Sequence, residues 1–140
     1  MTKDVENHRA NSELVIAAIL SALWERGFQS DGFQFADTKL DRELSHYYDA
    51  CFLWLIDEGL VRVGNHQRYS SGEPMDVTRP ALTAKGFEIL GRVHPGDKQT
   101  IGSKLGETLK AGGRSAGRQA VSEVVGLGIE FAAKYYAGNS

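Results

Sequence analysis

The side chains that could carry out chemistry are few in this chain, and their spacing is poor for catalysis. The chain has four histidines: His8, His46, His66 and His94. None stands at a metal-ligand spacing from another histidine, a cysteine or an acidic pair. His46 and Asp49 are one helical turn apart, which could orient an imidazole, but no nucleophile or glycine-rich loop lies beside them. We therefore predict a protein that is not an enzyme and that uses no metal or cofactor.

Cys51 is the single cysteine of the 140 residues. The chain therefore has no internal disulfide and no zinc site with two thiolates. Because Cys51 lies inside an apolar run, we predict a buried structural thiol and a reduced, cytoplasmic setting. The N-terminus is polar, so we expect no secretory signal. The longest early apolar run, residues 14–20, is far shorter than the roughly 20 residues that span a bilayer, so we expect no transmembrane segment.

Composition divides the chain into two parts. Residues 1–96 carry 10 Lys/Arg and 14 Asp/Glu, whereas residues 97–140 carry 6 and 4. Ten of the 13 aromatic residues lie in the first 90 positions, and ten of the 16 glycines lie from Gly91 onward. We predict a flexible N-terminus at 1–10, one packed domain at 11–91, a linker at 92–97, and a helical tail at 98–140 that is broken near residues 112–113.

Local patterns predict the elements of the packed domain. A first helix starts at Asn11 or Ser12 and ends before Gly27, and a very short strand is allowed within the following connector, residues 28–37. Apolar residues then recur at spacings of three and four up to Ile56, which allows one long helix or two short ones, and we favour two with a break near Asp41.

Glycine and proline mark the remaining boundaries. Gly59 ends the second of these helices, and residues 60–63 form a short strand. Residues 64–65 and 70–72 are typical of turns, and the return strand lies within residues 75–82, where Pro80 restricts it to an edge. Thr83 caps the next helix, which Gly91 ends.

This order of elements resembles the winged-helix superfamily. The best-matching motifs are Leu-Trp-Leu-Ile-Asp-Glu-Gly-Leu-Val at residues 53–61 and Leu-Thr-Ala-Lys-Gly-Phe-Glu-Ile-Leu at residues 82–90. With its tail, the chain also resembles small prophage- or mobile-element-associated winged-helix proteins of unknown function. The resemblance covers roughly residues 10–91. It implies a mainly α (α+β) fold, a winged helix-turn-helix with a small β-hairpin wing, followed by a Gly/Ala-rich C-terminal helical extension.

The resemblance also implies a way to bind double-stranded DNA. In a DNA-binding winged helix, the second helix of the helix-turn-helix enters the major groove and the wing contacts phosphates. The leading hypothesis is therefore a small DNA-binding regulator of phage or mobile-element type that acts as a dimer. The candidate DNA-binding residues are Lys39, Arg42 and His46 in the groove, and Arg62, His66, Arg68 and Arg79 on the wing.

The acidic side chains of the same region favour a different ligand. The candidate recognition helix, residues 41–58, has one arginine against five carboxylates. The alternative function is a protein–protein interaction module whose acidic face, Asp49, Asp57 and Glu58, binds or inhibits a basic, nucleic-acid-binding partner. A purely structural alternative is that the arginines pair with Asp57, Glu58 and Glu25. A continuous basic face over wing and helix favours DNA, and a continuous acidic face favours protein.

The tail carries small residues at a spacing of four, which permits close helix approach. We expect a homodimer through the C-terminal helices, with a seam formed by Gly102, Leu105, Gly106, Leu109, Val121, Val125 and Ala132. The alternatives are packing on its own domain and binding to a membrane surface or a partner groove. Under the leading expectation, removal of residues 97–140 leaves a folded, monomeric winged helix.

Overall fold

The computed structural model describes residues 8–29, 31–93 and 98–111. The fold is mixed, and the predicted α+β class is confirmed. Its elements are α1 (His8–Arg26), a first 3-10 helix (Phe35–Thr38), a second 3-10 helix (Arg42–Tyr47), α2 (Tyr48–Asp57), β1 (Val61–Arg62), β2 (Asn65–Gln67), β3 (Asp76–Thr78), β4 (Ala81–Leu82), α3 (Ala84–Leu90) and α4 (Ile101–Ala111).

Helix α1 forms the centre of the core. It packs against α2, α4, both 3-10 helices and β4, and its buried residues point in nearly every direction, as its apolar sequence predicts. Gly27 ends it with φ +69°, and the Gly27 amide donates to the Leu23 carbonyl at 3.1 Å. The helix begins at His8, earlier than the predicted Asn11 or Ser12, so part of the predicted flexible N-terminus is helical.

The predicted helix break near Asp41 is present, but both segments before α2 begin as 3-10 helix. Lys39 adopts φ 61°, and its amide donates to the Ala36 carbonyl, which closes the first segment after four residues. Asp41 is extended and starts the second segment, in which the Leu44 amide donates to the Asp41 carbonyl at 2.9 Å. A left-handed residue cannot continue a helix, so Lys39 imposes the break.

Strands β1 to β4 form one interrupted hairpin. β1 pairs with β4 and β2 pairs with β3, and the same register runs through both pairs, with Val61 opposite Leu82 and His66 opposite Val77. The interruption falls at Arg79, which has φ 48°, and at Pro80, which has no amide to donate. The turn predicted at residues 64–65 is not formed, because Asn65 already begins β2.

Where the sequence allowed a very short strand, Phe33 adds a single-residue bridge to this hairpin. Its amide donates to the Val77 carbonyl at 2.8 Å, and the Val77 amide donates back at 3.1 Å. The order across the hairpin is thus Phe33, β3 and β2. The Phe33 ring is buried and meets Phe52 of α2 edge-on, with ring centroids 5.9 Å apart. The connector after α1 is therefore anchored to both the hairpin and α2.

Two predicted caps connect α2, the hairpin and α3. Gly59 adopts φ +77°, and the Leu60 amide donates to the Leu55 carbonyl at 3.1 Å, which confirms the predicted end of α2. The Thr83 hydroxyl accepts from the Gly86 amide at 3.0 Å, which confirms the predicted cap of α3. The same hydroxyl donates to the Gly59 carbonyl at 2.6 Å, so the two helix ends are joined.

Helix α4 belongs to the same hydrophobic core as α1. Val93 pairs with Thr100, and the Ile101 amide donates to the Arg92 carbonyl at 2.8 Å, which starts α4 close to the end of α3. Ile101 and Leu105 are each only 1% exposed and lie in one cluster with the α1 core residues. None of the helices in the described ranges has both the length and the apolar character that crossing a bilayer requires.

Candidate functional site

A cleft of about 530 Å³ lies between the two 3-10 helices and the tip of the hairpin. We call it the helix–hairpin cleft. It is lined by Gln34, Phe35, Ala36, Arg42, Ser45, Tyr69, Ser71, Gly72, Glu73, Pro74 and Asp76. One wall therefore comes from the segment that precedes α2, and the other comes from the hairpin loop and the start of β3. The segment before α2 and the hairpin tip therefore face the same space.

Gln34 connects the two walls of the cleft. Its backbone amide donates to Asp37 Oδ2 at 2.8 Å, and its side-chain amide donates to Asp76 Oδ1 at 3.2 Å. The Tyr69 hydroxyl donates to the other Asp76 oxygen, and this hydrogen bond raises the pKa of Tyr69. Hydrogen bonds to both oxygens hold the Asp76 carboxylate in one orientation at the cleft.

A second carboxylate, that of Asp49 in the first turn of α2, connects α2 to the hairpin. Its Oδ1 accepts from the Met75 amide at 2.9 Å, and its Oδ2 lies 3.6 Å from Arg68 Nε. Arg68 was predicted to bind DNA and Asp49 to bind a protein partner, yet the structure brings them together. Arg68 is exposed, so the ion pair contributes little to stability, but Asp49 offsets the charge that Arg68 would offer to a phosphate.

Tyr48 lies fully buried beside this network. Its ring packs edge-on against Phe35 and Phe52, with centroids 5.5 Å from each, and within the described ranges its hydroxyl has no hydrogen-bond partner. Burial raises the pKa of Tyr48 most, and carboxylates raise it further. Those carboxylates are Asp37, Asp49 and Asp76. The sequence predicted Tyr48 only as a core residue, because no local signal distinguishes it from the other residues of the apolar face.

The surroundings of the cleft are acidic. Residues 34–49 and 67–76 carry six carboxylates and three Lys/Arg side chains. The carboxylates are Asp37, Asp41, Glu43, Asp49, Glu73 and Asp76, and the bases are Lys39, Arg42 and Arg68. Negative charge therefore predominates where the groove-reading end of a recognition helix would be.

The three residues predicted to enter a DNA groove are not brought together. Arg42 is exposed and lines the helix–hairpin cleft. Lys39 is exposed but lines a different cleft, between α1 and α4. His46 is exposed and stacks on Tyr47, with ring centroids 4.1 Å apart.

The basic residues predicted on the wing are spread along the hairpin. Arg62 and His66 are exposed on β1 and β2. The Arg79 guanidinium lies across Gly64, where an added Cβ would come within 2.7 Å of Arg79 Nε. Arg62 and Arg79 thus belong to the stem of the hairpin, whereas Arg68 follows β2 and lies against Asp49.

The predicted acidic partner face is divided between the two ends of α2. Asp49 stands in the first turn and Asp57 in the last, about 12 Å apart along the helix axis. Asp57 and Glu58 are exposed, and the Lys85 ammonium donates to the Glu58 carbonyl at 3.1 Å, which partly offsets the acidic helix end. None of the three lines the helix–hairpin cleft, and Asp49 contacts the hairpin through Met75 and Arg68.

The residues predicted to form a dimer seam, as far as α4 reaches, face α1 of the same chain. An added Cβ on Gly102 would lie 2.5 Å from the Trp24 ring, and one on Gly106 would lie 3.3 Å from Ser21 Oγ. Leu105 is 1% exposed, and Leu109 is partly buried. A seam through these residues would have to separate α4 from α1. Val121, Val125 and Ala132 lie outside the described residues.

The predicted structural thiol has the expected environment. Cys51 is 5% exposed, and burial raises its pKa to about 11.

His8 Nδ1 lies 2.5 Å from the Tyr47 hydroxyl, a contact that fixes α1 to the second 3-10 helix. Among the described residues, no three His, Cys, Asp or Glu side chains converge as metal ligands would. His94 lies outside the described residues.

No protein-family model matches this chain, and no curated protein or solved structure is significantly similar to it. What the helix–hairpin cleft could bind therefore rests on its own shape and charge. Its volume of about 530 Å³ suits a few side chains of a ligand, and its lining is polar, with more acidic than basic groups.

Proposed function

We propose that this protein is a non-enzymatic binding module of winged-helix architecture, and that its helix–hairpin cleft binds a basic segment of a protein partner. The order of elements supports the architecture: α1, the Phe33 bridge, the broken helical segment with α2, and the hairpin. The bridge between Phe33 and Val77 supports it further, because it makes the segment before the helix pair the neighbour of β3, the returning strand of the hairpin.

The observation that carries the choice of ligand is the fixed position of the Asp76 carboxylate in the cleft lining, with Asp49 outside that lining at the base of the hairpin. Asp76 is held by Gln34 and Tyr69, and Asp49 is held by the Met75 amide. DNA affinity comes largely from Lys and Arg side chains that neutralise phosphates. A surface with six carboxylates to three basic groups repels a phosphate backbone and attracts the Lys and Arg side chains of a protein.

The polar lining suits a peptide main chain. Ser45, Ser71 and Tyr69 present hydroxyl groups, and Gln34 presents an amide. Arg42 is the one guanidinium in the lining, and it can donate to carbonyl or carboxylate oxygens of the partner. An extended segment that places lysine or arginine toward Glu73 and Asp76 would use all of these groups.

The test is fluorescence anisotropy of a labelled, lysine-rich dodecapeptide titrated with the protein at low and high salt. We expect binding that weakens with salt and that Glu73→Gln weakens about two- to fivefold, the effect of losing one exposed ion pair. Glu88→Gln on α3 is the matched control, because it removes one exposed carboxylate away from the cleft. Equal losses in the two variants would mean unspecific attraction to an acidic protein and would overturn the assignment of the cleft.

A second candidate function is DNA binding through the stem of the hairpin. The specific observation is that Arg62 and Arg79 are exposed there, apart from the carboxylates at the tip. A mixed-sequence duplex in the same assay tests it. Tight binding with a salt slope of about 0.9 per neutralised phosphate, lost in Arg62→Ala, would favour DNA over the peptide. Absence of duplex binding at low salt would remove this candidate.

A further inference from the structure

A second cleft, of about 520 Å³, lies on the other side of the Phe33–Leu40 connector, between α1 and α4. We call it the α1–α4 cleft. Its floor is formed by the short side chains of Ala18, Ser21 and Ala22 and by Gly106. Leu40 and Leu109 stand at its sides and are only partly buried, so apolar surface remains uncovered there. This cleft takes no part in the proposed binding of a partner segment.

We propose that residues 115–136 of this chain dock in the α1–α4 cleft. The path of the chain supports this occupant, because Leu109 and Lys110 in the last turn of α4 line the cleft, and residues 112–140 follow directly. Docking there requires the chain to reverse after α4, and the sequence Gly112-Gly113 permits such a reversal. A segment tethered this closely has an effective concentration in the millimolar range, which favours it over a separate molecule.

The sequence of the segment suits the cleft. Its apolar residues recur at a spacing of four, at Gly117, Val121 and Val125, which would place them on one face of a helix. As a helix, its 22 residues would be about 33 Å long, enough to follow α1 along most of its length. A floor of small side chains lets a helix approach closely.

Charge at the rim agrees with the same occupant. The cleft lining carries three basic side chains, Arg26, Lys39 and Lys110, against two carboxylates, Glu25 and Asp37. The segment carries Glu123 and Glu130 beside Arg118 and Lys134. Carboxylates on the segment can therefore meet ammonium groups at the rim while the valines cover Leu40 and Leu109.

The test measures how fast a maleimide reacts with a cysteine introduced at the cleft in the full-length chain. Ala22→Cys places the thiol in the lining, and Ala50→Cys on the exposed face of α2 is the matched control. Cys51 is buried with a raised pKa, so it contributes little background reaction. We expect Val121→Asp/Val125→Asp to increase labelling of Ala22→Cys at least tenfold and to leave Ala50→Cys unchanged.

Two results would overturn the proposal. Equal labelling of Ala22→Cys with and without the valine substitutions would mean that the segment does not cover the cleft. Protection of Ala22→Cys that disappears on dilution would mean that a second copy of the chain covers it instead. If the double substitution prevents folding, judged by circular dichroism, the single variant Val125→Asn replaces it, with the same direction expected.

Discussion

Tyr48 has a hydroxyl group buried in the core, with no hydrogen-bond partner among the residues that the structure describes. A buried hydroxyl without a partner loses its hydration and gains nothing in return. Tyr47, the preceding residue, has the opposite situation, because its hydroxyl contacts His8 Nδ1 at 2.5 Å and accepts from Asn11 Nδ2 at 3.1 Å. Comparing the two residues therefore measures what a hydrogen-bonded tyrosine hydroxyl contributes to the free energy of unfolding.

We predict that Tyr48→Phe raises the free energy of unfolding by about 1 kcal/mol, since it removes a desolvated group and keeps the ring contacts with Phe35 and Phe52. Tyr47→Phe is the matched control and should lower the free energy of unfolding by about 1 kcal/mol, because it leaves Asn11 with one partner fewer. Urea denaturation followed by circular dichroism measures both. A loss in Tyr48→Phe as large as that in Tyr47→Phe would contradict the expectation.

Cys51 leads to a prediction about pH. Burial raises its pKa from 9.0 to about 11, so the unfolded thiol ionises at lower pH than the folded one. Stability from this group is therefore complete below pH 9 and decreases as the pH rises toward 11. We expect the melting temperature to fall less between pH 8 and pH 10.5 in Cys51→Val than in the unmodified protein. Parallel falls in both proteins would show that Cys51 does not contribute.

At the scale of elements, local rules account for the helix ends and not for the helix type. Gly27, Gly59 and Thr83 end or begin helices where the sequence predicts, because each cap depends on residues within one turn. The 3-10 segments before α2 and the early start of β2 were not predicted. Lys39 and Arg79 adopt positive φ at these points. Lysine and arginine do not favour this backbone conformation, so contacts with the hairpin and the core impose it.

The contact between α4 and α1 depends on two glycines one turn apart. An added Cβ at Gly102 would meet the rigid Trp24 ring at 2.5 Å, whereas at Gly106 it would meet the ends of the Glu25 and Ser21 side chains at 3.2 and 3.3 Å. Replacing either glycine with alanine raises helix propensity by about 1 kcal/mol. Both substitutions therefore gain the same helix propensity, but only the one at Gly102 places a methyl group against a rigid ring.

We predict that Gly102→Ala lowers the free energy of unfolding by about 1–3 kcal/mol, because α4 must move away from Trp24. Gly106→Ala should leave stability unchanged or raise it by up to about 1 kcal/mol, since the side chains that it meets can rotate. Chemical denaturation of both variants gives the comparison. Equal effects of the two substitutions would contradict the packing of α4 on α1.

At the scale of the whole molecule, α1 is the element that the rest of the chain covers. The 3-10 helices and α2 contact it, and α4 contacts it as well. The sequence predicts α4 as part of a separate tail, but Ile101 and Leu105 lie in the common core. The expectation that removal of residues 97–140 leaves a folded domain is therefore revised, because the deletion would expose apolar residues of α1.

We predict that Leu105→Ala lowers the free energy of unfolding by about 2–5 kcal/mol, the range for a fully buried leucine. A small domain has only about 5–15 kcal/mol in total, so deletion of residues 97–140 should abolish cooperative unfolding. Thr108→Ala, on a less buried position of α4, is the control and should change little. A deletion variant with an unchanged urea midpoint would contradict an integral α4.

The sequence by itself determined the α+β class, the C-terminal ends of α1 and α2, the cap of α3 and a buried cysteine. These features follow from residues close together in the chain, where cap chemistry and apolar periodicity act. The tertiary structure alone decided that Arg68 pairs with Asp49, that Gln34 and Tyr69 hold Asp76, and that Gly102 lies under Trp24. Apart from the nearby pair Tyr69 and Asp76, these contacts join distant residues, and the geometry of the core sets which charges and faces meet.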